Sequence, residues 1–298
     1  MKRYDLPTPQ TISEGLQSFG YIPDANTANV LYYAMVLDKP LLIEGPAGAG
    51  KTELAKAFGK FLGRDLIRLQ CYEGIDESKA LYEWNYQKQL LHIQSVNSSD
   101  YVSTDADKEI YTEDFLLERP LLRAIRTEVP QILLIDEIDK SDEEFESFLL
   151  EILSDWQVSI PEIGTVRAKS IPFVILTSNN SRALSEALRR RCLYLYLDYP
   201  NEERELAILK LDFPDLLDAL GTQALTFVRR VRLLRLKKHP SISEVLDWVR
   251  ILDESEITHL SEESVTETLN ILLKHQQDCI QVTQVMKQEH WLDGNDRT

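Results

Sequence analysis

Leu41-Leu42-Ile43-Glu44-Gly45-Pro46-Ala47-Gly48-Ala49-Gly50-Lys51-Thr52-Glu53-Leu54-Ala55-Lys56-Ala57-Phe58 is the segment from which the architecture follows. A short apolar run leads into G-x-x-x-x-G-K-[ST] at 45–52, and a helical pattern continues from it. Strand, glycine-rich turn and helix stand in the order that a phosphate cradle needs. The turn of Gly45, Pro46, Ala47, Gly48, Ala49 and Gly50 lets the backbone curl around phosphate oxygens, with the N–H groups of the helix start aimed at the anion. Lys51 is expected to reach the β- and γ-phosphates of ATP and Thr52 to hold Mg²⁺ by its hydroxyl, with Glu53 completing the binding stretch. A glycine-rich turn with no ligand is the alternative reading, and the next motif weighs against it.

Gln131-Ile132-Leu133-Leu134-Ile135-Asp136-Glu137 is an apolar run that stops on two carboxylates. Asp136 suits the magnesium shell and Glu137 suits a base that polarises a water for attack on the γ-phosphate. The competing reading is an acidic helix start, since Asp139 and 142–144 continue the negative run. With the phosphate cradle upstream, ATP hydrolysis is the chemistry expected.

Further apolar runs lie at Leu66-Ile67-Arg68-Leu69, Phe173-Val174-Ile175-Leu176 and Leu193-Tyr194-Leu195-Tyr196-Leu197, alternating with helical patterns. Runs of four or five apolar residues suit strands buried on both faces, hence an α/β fold with a parallel sheet. After Pro200 the strand signal fades, and 201–237, 241–254 and 261–291 read as helices with Ser241 or Ser243 and Ser261 as N-caps. The domains expected are 1–199, α/β and nucleotide-binding, and 200–298, all-α. Residues 94–113 are polar and acidic and read as an inserted hairpin or surface loop.

The chain has 298 residues, a net charge of −16, 43% hydrophobic and 28% charged residues. That composition is globular, and the charge disfavours general affinity for nucleic acid or anionic membrane. No apolar run approaches the ~18–20 residues that cross a bilayer. Cys71, Cys192 and Cys279 have no metal-like spacing and fit a reducing cytoplasm. Cys192 reads as a small buried residue, and Tyr82/Trp84/Tyr86 and Tyr194/Tyr196 as sheet or core packing. Arg229 to Lys238 carries six positive charges in ten residues, with Arg229 near Arg232 and Arg235 near Lys238 at helical spacing. An acidic protein or a neighbouring subunit is its favoured contact.

The strand 173–176 runs into Thr177-Ser178-Asn179-Asn180, and a helical stretch then ends in Arg189-Arg190-Arg191-Cys192. A polar group at such a strand tip can touch the attacking water or γ-phosphate. An arginine at the far end of the next helix suits a neighbour's nucleotide better than its own. This order resembles the AAA+ ATPases, with Asn179 at the first sensor and Arg191 as a finger in trans, ahead of Arg190 and Arg189. Within them the sequence is similar to the MoxR family, CoxD-like subgroup (carbon monoxide dehydrogenase maturation). The matching stretches are Gly20-Tyr21-Ile22, Lys39-Pro40-Leu41-Leu42-Ile43-Glu44-Gly45, Arg68-Leu69-Gln70-Cys71-Tyr72-Glu73-Gly74, Leu81-Tyr82-Glu83-Trp84-Asn85-Tyr86, 185–192 and 240–248. The resemblance implies a P-loop core with a helix-2 insert near 88–112, a hairpin before the first sensor at 156–166, and a helical lid. It also implies that Tyr21 and Ile22 line the adenine pocket. The implied assembly is a ring, usually hexameric, that remodels an unidentified client, a metalloenzyme among the candidates, with a von Willebrand A-domain partner. Where relatives carry a second-sensor arginine, this sequence has Ser243, with Lys237 and Lys238 nearby. The alternative function is a nucleotide-gated ring scaffold with little turnover.

Overall fold

Apolar runs too short for helices become strands here. The computed structural model describes residues 6–96, 110–214 and 218–292. In chain order the elements are α1 (Pro9–Ser18), α2 (Ala25–Leu37), β1 (Leu41–Glu44), α3 (Lys51–Leu62), β2 (Leu66–Gln70) and α4 (Glu77–Ala80). Then come β3 (Tyr82–Trp84), α5 (Tyr86–Val96), β4 (Leu116–Glu118), α6 (Pro120–Arg126), β5 (Ile132–Asp136), α7 (Glu143–Asp155), β6 (Gln157–Ile160) and β7 (Gly164–Arg167). The chain continues through β8 (Phe173–Ser178), α8 (Glu186–Arg191), β9 (Leu193–Tyr196), α9 (Glu202–Asp212), α10 (Asp218–Leu233), α11 (Ile242–Glu254), α12 (Glu262–Leu272) and α13 (Gln276–Gln288). Two compact units contain them. One holds residues up to Phe19, Pro23–Gly45 and Lys51–Tyr196; the other holds Gly20–Ile22, Pro46–Gly50 and the chain from Leu197 on.

The first unit is built on a sheet of order β2-β5-β8-β1-β9. All four pairings are parallel, with Leu41 opposite Ile175 and Leu193, and Ile132 opposite Leu66 and Phe173. Every residue of β1 and β5 is buried, whereas the edge strands β2 and β9 alternate. Helices on both faces explain the continuous apolar runs. Burying each such Leu or Ile contributes about 1.5–3 kcal/mol. The expected pre-sensor hairpin is present as the antiparallel pair β6–β7. The insert near 88–112 is flanked by the antiparallel pair β3–β4, and its first described part is α5. The polar stretch 97–109 lies outside the described residues.

Helices make up the second unit from α9 onward, around Trp248, Phe227, Val245 and Leu269. Trp248 is fully buried, and its indole N–H donates to Thr268 Oγ1 at 2.8 Å. Two of the three expected helices are broken. The 201–237 pattern ends at Asp212, where Phe213 takes φ −131°, ψ 73° ahead of Pro214; a residue before proline is pushed out of the helical region. The 261–291 pattern breaks at Leu273, which is extended. Uninterrupted, that helix would be about 46 Å long, longer than the ~25–30 Å span of a unit near 100 residues. The break lets both halves turn their apolar faces inward. Ser241 and Ser261 are the N-caps, as expected, rather than Ser243.

The basic segment also reads differently. Helix α10 stops at Leu233, so Arg235 and Lys238 do not share a helical face. Arg229 pairs with Glu202 at 2.9 Å and Arg232 with the buried Glu205 at 2.7 Å. These arginines strap α10 to α9 instead of forming a free cationic face. Among the tyrosines, Tyr82 and Trp84 pack edge to face, but Tyr86 is 60% exposed and Tyr194 and Tyr196 are about half exposed. They lie on the first turn of α5 and on the edge strand β9, where one side is left to solvent. Among the described residues no helix is long and apolar enough to cross a membrane.

Candidate functional site at the strand tips

The carboxyl ends of β1, β5 and β8 lie side by side, which in an open α/β sheet is where ligands bind. Gly45 N–H donates to the Ser178 carbonyl at 3.3 Å, tying the start of the glycine turn to β8. Lys51 opens α3 and is buried. Its ammonium donates to the Gly45 carbonyl at 2.7 Å and to Asn179 Oδ1 at 2.8 Å. Burial lowers the Lys51 pKa, opposed by the charges of Asp139, Asp136 and Glu137. Thr52 Oγ1 donates to Asp136 at 3.2 Å and 3.3 Å. The sequence-expected Lys51, Thr52, Asp136, Glu137 and Asn179 are thus joined in one hydrogen-bonded cluster.

Asp136, the last residue of β5, is buried and accepts from Thr177 Oγ1 at 2.5 Å. Glu137 follows with φ 57°, ψ 47°, a left-handed backbone that a non-glycine residue adopts at about 1–2 kcal/mol. Its N–H donates to Thr177 Oγ1 at 2.9 Å. This turn lifts Glu137 off the strand, where its carboxylate accepts from Asn179 Nδ2 at 3.3 Å, Gln70 Nε2 at 2.9 Å and Lys140 Nζ at 2.7 Å. The acidic-helix reading does not hold for this pair: Asp142 caps α7, accepting from Phe145 N–H at 2.8 Å. Asp139 instead positions the loop after β8, accepting from Asn179 N–H at 3.2 Å and from Ser181 N–H and Oγ at 2.9 Å and 2.6 Å. Burial raises the Asp139 pKa, but these hydrogen bonds together outweigh it and hold the carboxyl below its ordinary value.

The three arginines of α8 have different surroundings. Arg189 is paired with the buried Glu44 at the end of β1. Arg190 is largely exposed, 4.0 Å from Glu186. Arg191 Nε donates to Ser154 Oγ at 3.0 Å and Nη1 to the Ala187 carbonyl at 3.4 Å, so its bonds run to α7 and to its own helix. Cys192 is half-buried, and burial pushes its thiol up to about 12, in keeping with a packing role.

Within the second unit, Pro46–Gly50 meets residues far away in sequence. Tyr199 Oη donates to the Ala47 carbonyl at 3.3 Å. Tyr21 is buried; Arg204 donates from Nε to the Ile22 carbonyl at 2.7 Å and from Nη2 to Tyr21 Oη at 3.3 Å. Gly48 has φ +81°, and a Cβ there would lie 2.4 Å from Ser241 Cβ. Gly48→Ala should lower the thermal midpoint by several degrees and weaken nucleotide binding. Gly20→Ala, at φ +85° with open space around the added carbon, isolates the backbone part, about 1–2 kcal/mol; equal effects of the two substitutions would refute the clash.

Ser243, where the resemblance leads one to expect a second sensor, is exposed on α11. Lys238 is taken up by Glu244, at 2.9 Å, and Lys237 N–H donates to Asp278 at 3.1 Å. Burial raises the Glu244 pKa, but hydrogen bonds from Ser241 and Lys238 overcome it and bring the carboxyl down to about 2. A depressed carboxylate stabilises the fold fully above its unfolded value near 4.5 and loses that contribution as pH falls toward 2. Glu244→Gln should therefore lower stability at pH 7. Denaturation series should show the gap between the two proteins closing below about pH 4.5; a pH-independent gap would contradict the assignment.

Reasoning from the sequence did not single out Arg68, Gln70, Lys140, Thr177 or Arg204. One signal was available: Arg68 and Gln70 interrupt an apolar strand two residues apart, which puts them on one face.

A parallel sheet with a Gly-Lys-Thr turn after its first strand and paired acids at the tip of the next strand but one defines the P-loop NTPase class. The chain belongs to the AAA family: the AAA domain (dynein-related subfamily) matches residues 40–192. Midasin of Dictyostelium discoideum is 24% identical over 214 residues, 69% of this chain and 3% of midasin. Protein NorQ of Paracoccus denitrificans is 23% identical over 196 residues, 63% of each chain. An uncharacterised protein of Staphylococcus haemolyticus is 24% identical over 223 residues, 72% of this chain and 76% of its own length. The chain therefore spans less than two thirds of midasin and of NorQ. Among solved structures, a mutant RuvB of Thermotoga maritima aligns with a TM-score of 0.50 over 87% of this chain and 72% of that chain, at 18% identity. That is a likeness of fold.

Proposed function

We propose that the chain is an ATP-hydrolysing, MoxR-like AAA+ chaperone of the CoxD-like subgroup that remodels partner proteins or assists their maturation, including insertion of metal cofactors. Residues 1–199 form its nucleotide-binding domain and 200–298 its lid. It works in the cytoplasm as a ring, hexameric by family resemblance, with a von Willebrand A-domain partner and an unidentified client. The observation that carries the reading is the single cluster made by Lys51, Thr52, Asp136, Glu137 and Asn179. Three free cysteines agree with the compartment.

In this reading the N–H groups of Gly45 to Thr52 and the Lys51 ammonium bind the β- and γ-phosphates. Tyr21 and Ile22 bound the adenine. Glu137 takes the proton of the attacking water while Asn179 orients that water and the γ-phosphate. Asp136 and the Thr52 hydroxyl are hard oxygen donors 3.2 Å apart. That set fits magnesium, which needs only one or two protein oxygens beside water and phosphate. Bound there, the ion would neutralise charge on the β- and γ-phosphates. Arg191 acts on the nucleotide of the adjacent subunit.

Arg191→Ala should reduce phosphate release at least ~100-fold, as should Lys51→Ala. Mixing the two variants should restore part of the activity, because one interface then pairs an intact cradle with an intact arginine. A mixture as inactive as its parts would refute the trans role. The second reading, a nucleotide-gated scaffold with little turnover, is favoured by one observation: both oxygens of Glu137 already accept hydrogen bonds from the chain.

A further inference from the structure

We propose that Arg68 is an internal cation that competes with the divalent metal ion for Asp136, so that the metal affinity of the site is set by exchange of a guanidinium for the ion. The inference rests on the nucleotide-binding reading above and adds regulation of that same site.

Strands β2 and β5 pair in parallel, with Arg68 opposite Leu134 and Gln70 opposite Asp136. From that register Arg68 sends two donors to a single oxygen: Nε at 2.9 Å and Nη2 at 2.5 Å, both onto Oδ2 of Asp136. The other oxygen, Oδ1, accepts from Thr177 at 2.5 Å and Thr52 at 3.2 Å. A buried carboxylate needs a counter-charge, and the guanidinium supplies it.

That arrangement has a consequence for a metal ion. An ion drawing on Oδ2 would need lone pairs that the guanidinium already occupies, so both could not be held there at full strength. Thr52, the other oxygen donor proposed for the metal, sits on the same carboxylate. The two partners also differ in mobility: the Asp136 side chain is 4% exposed, whereas that of Arg68 is 48% exposed. The arginine can withdraw into water at little desolvation cost, while the aspartate cannot move away from the site. Gln70 Oε1 also accepts from Arg68 Nη2, so the guanidinium keeps a neutral partner beside the carboxylate.

The test is binding of Mn²⁺ to the protein with saturating ADP, read by loss of the free-ion electron paramagnetic resonance signal. Arg68→Gln should tighten Mn²⁺ binding about tenfold or more, because its competitor is gone, while ADP affinity measured in EDTA changes less than about twofold. Arg68→Lys, which keeps the charge but loses the two-pronged contact, should fall between the two. It also serves as the measured variant if Arg68→Gln fails to fold. Unchanged or weaker Mn²⁺ binding in the folded variant, with ADP binding intact, would overturn the exchange and leave the nucleotide reading standing. A parent protein whose ADP affinity equals that of Lys51→Ala would overturn both.

Discussion

Lys51→Ala should bind ATP at least ~100-fold more weakly than the parent and release no phosphate above background. The ammonium is buried, donates to the Gly45 carbonyl and Asn179, and lies in the field of Asp136, Glu137 and Asp139. A triphosphate arriving there replaces neutral acceptors with charged ones. Charge-assisted hydrogen bonds contribute about 1.5–3 kcal/mol each, and two of them correspond to at least a hundredfold in affinity. Alanine also removes a cation from the field of the three carboxylates, so the phosphates would meet a more negative cavity. Calorimetric titration with ATP measures the change. An unaltered dissociation constant would mean that the glycine turn is only a structural turn.

Glu137→Gln should keep ATP bound and reduce phosphate release about 10²–10⁴-fold. Glutamine retains the shape and an acceptor for Asn179 but cannot take a proton from water. The fold should tolerate the change. The Glu137–Lys140 pair is partly exposed, at 31% and 50%, and such pairs contribute about 0–1 kcal/mol. Any large kinetic effect is then chemical in origin. The same variant divides the two functional readings. An engine stalls with ATP bound and loses its action on a client, whereas a scaffold keeps its partners. Single-turnover kinetics and partner capture with ATP should be run together; full turnover in the variant would remove Glu137 from the chemistry.

The parts of the site that were legible in the sequence are those in which the chemistry is local. The cradle at 45–52 needs glycines, a lysine and a helix start in consecutive positions, and they remain adjacent after folding. Asp136 and Glu137 were legible for the same reason, since the continuous apolar run before them marks a strand buried on both faces and its end marks the rim of the sheet. Arg68, Gln70 and Thr177 were not. They reach the acids through strand neighbours that follow from the order β2-β5-β8-β1-β9, and no spacing along the chain encodes that order. Arg229 and Arg232 illustrate the same limit. Six positive charges in ten residues suggest a binding face, but Glu202 and Glu205 on another helix turn two of them into straps.

Hydrophobic periodicity and the glycine-lysine-threonine turn, by themselves, determined the layer architecture, the parallel character of the sheet and the position of the phosphate cradle, because each is written in patterns that span about a dozen positions or fewer. Tertiary structure alone decided the break at Leu273, which tyrosines face water, and which cation neutralises Asp136. Those outcomes depend on what lies across a strand or helix interface, where burial and charge pairing are settled by neighbours distant in the chain.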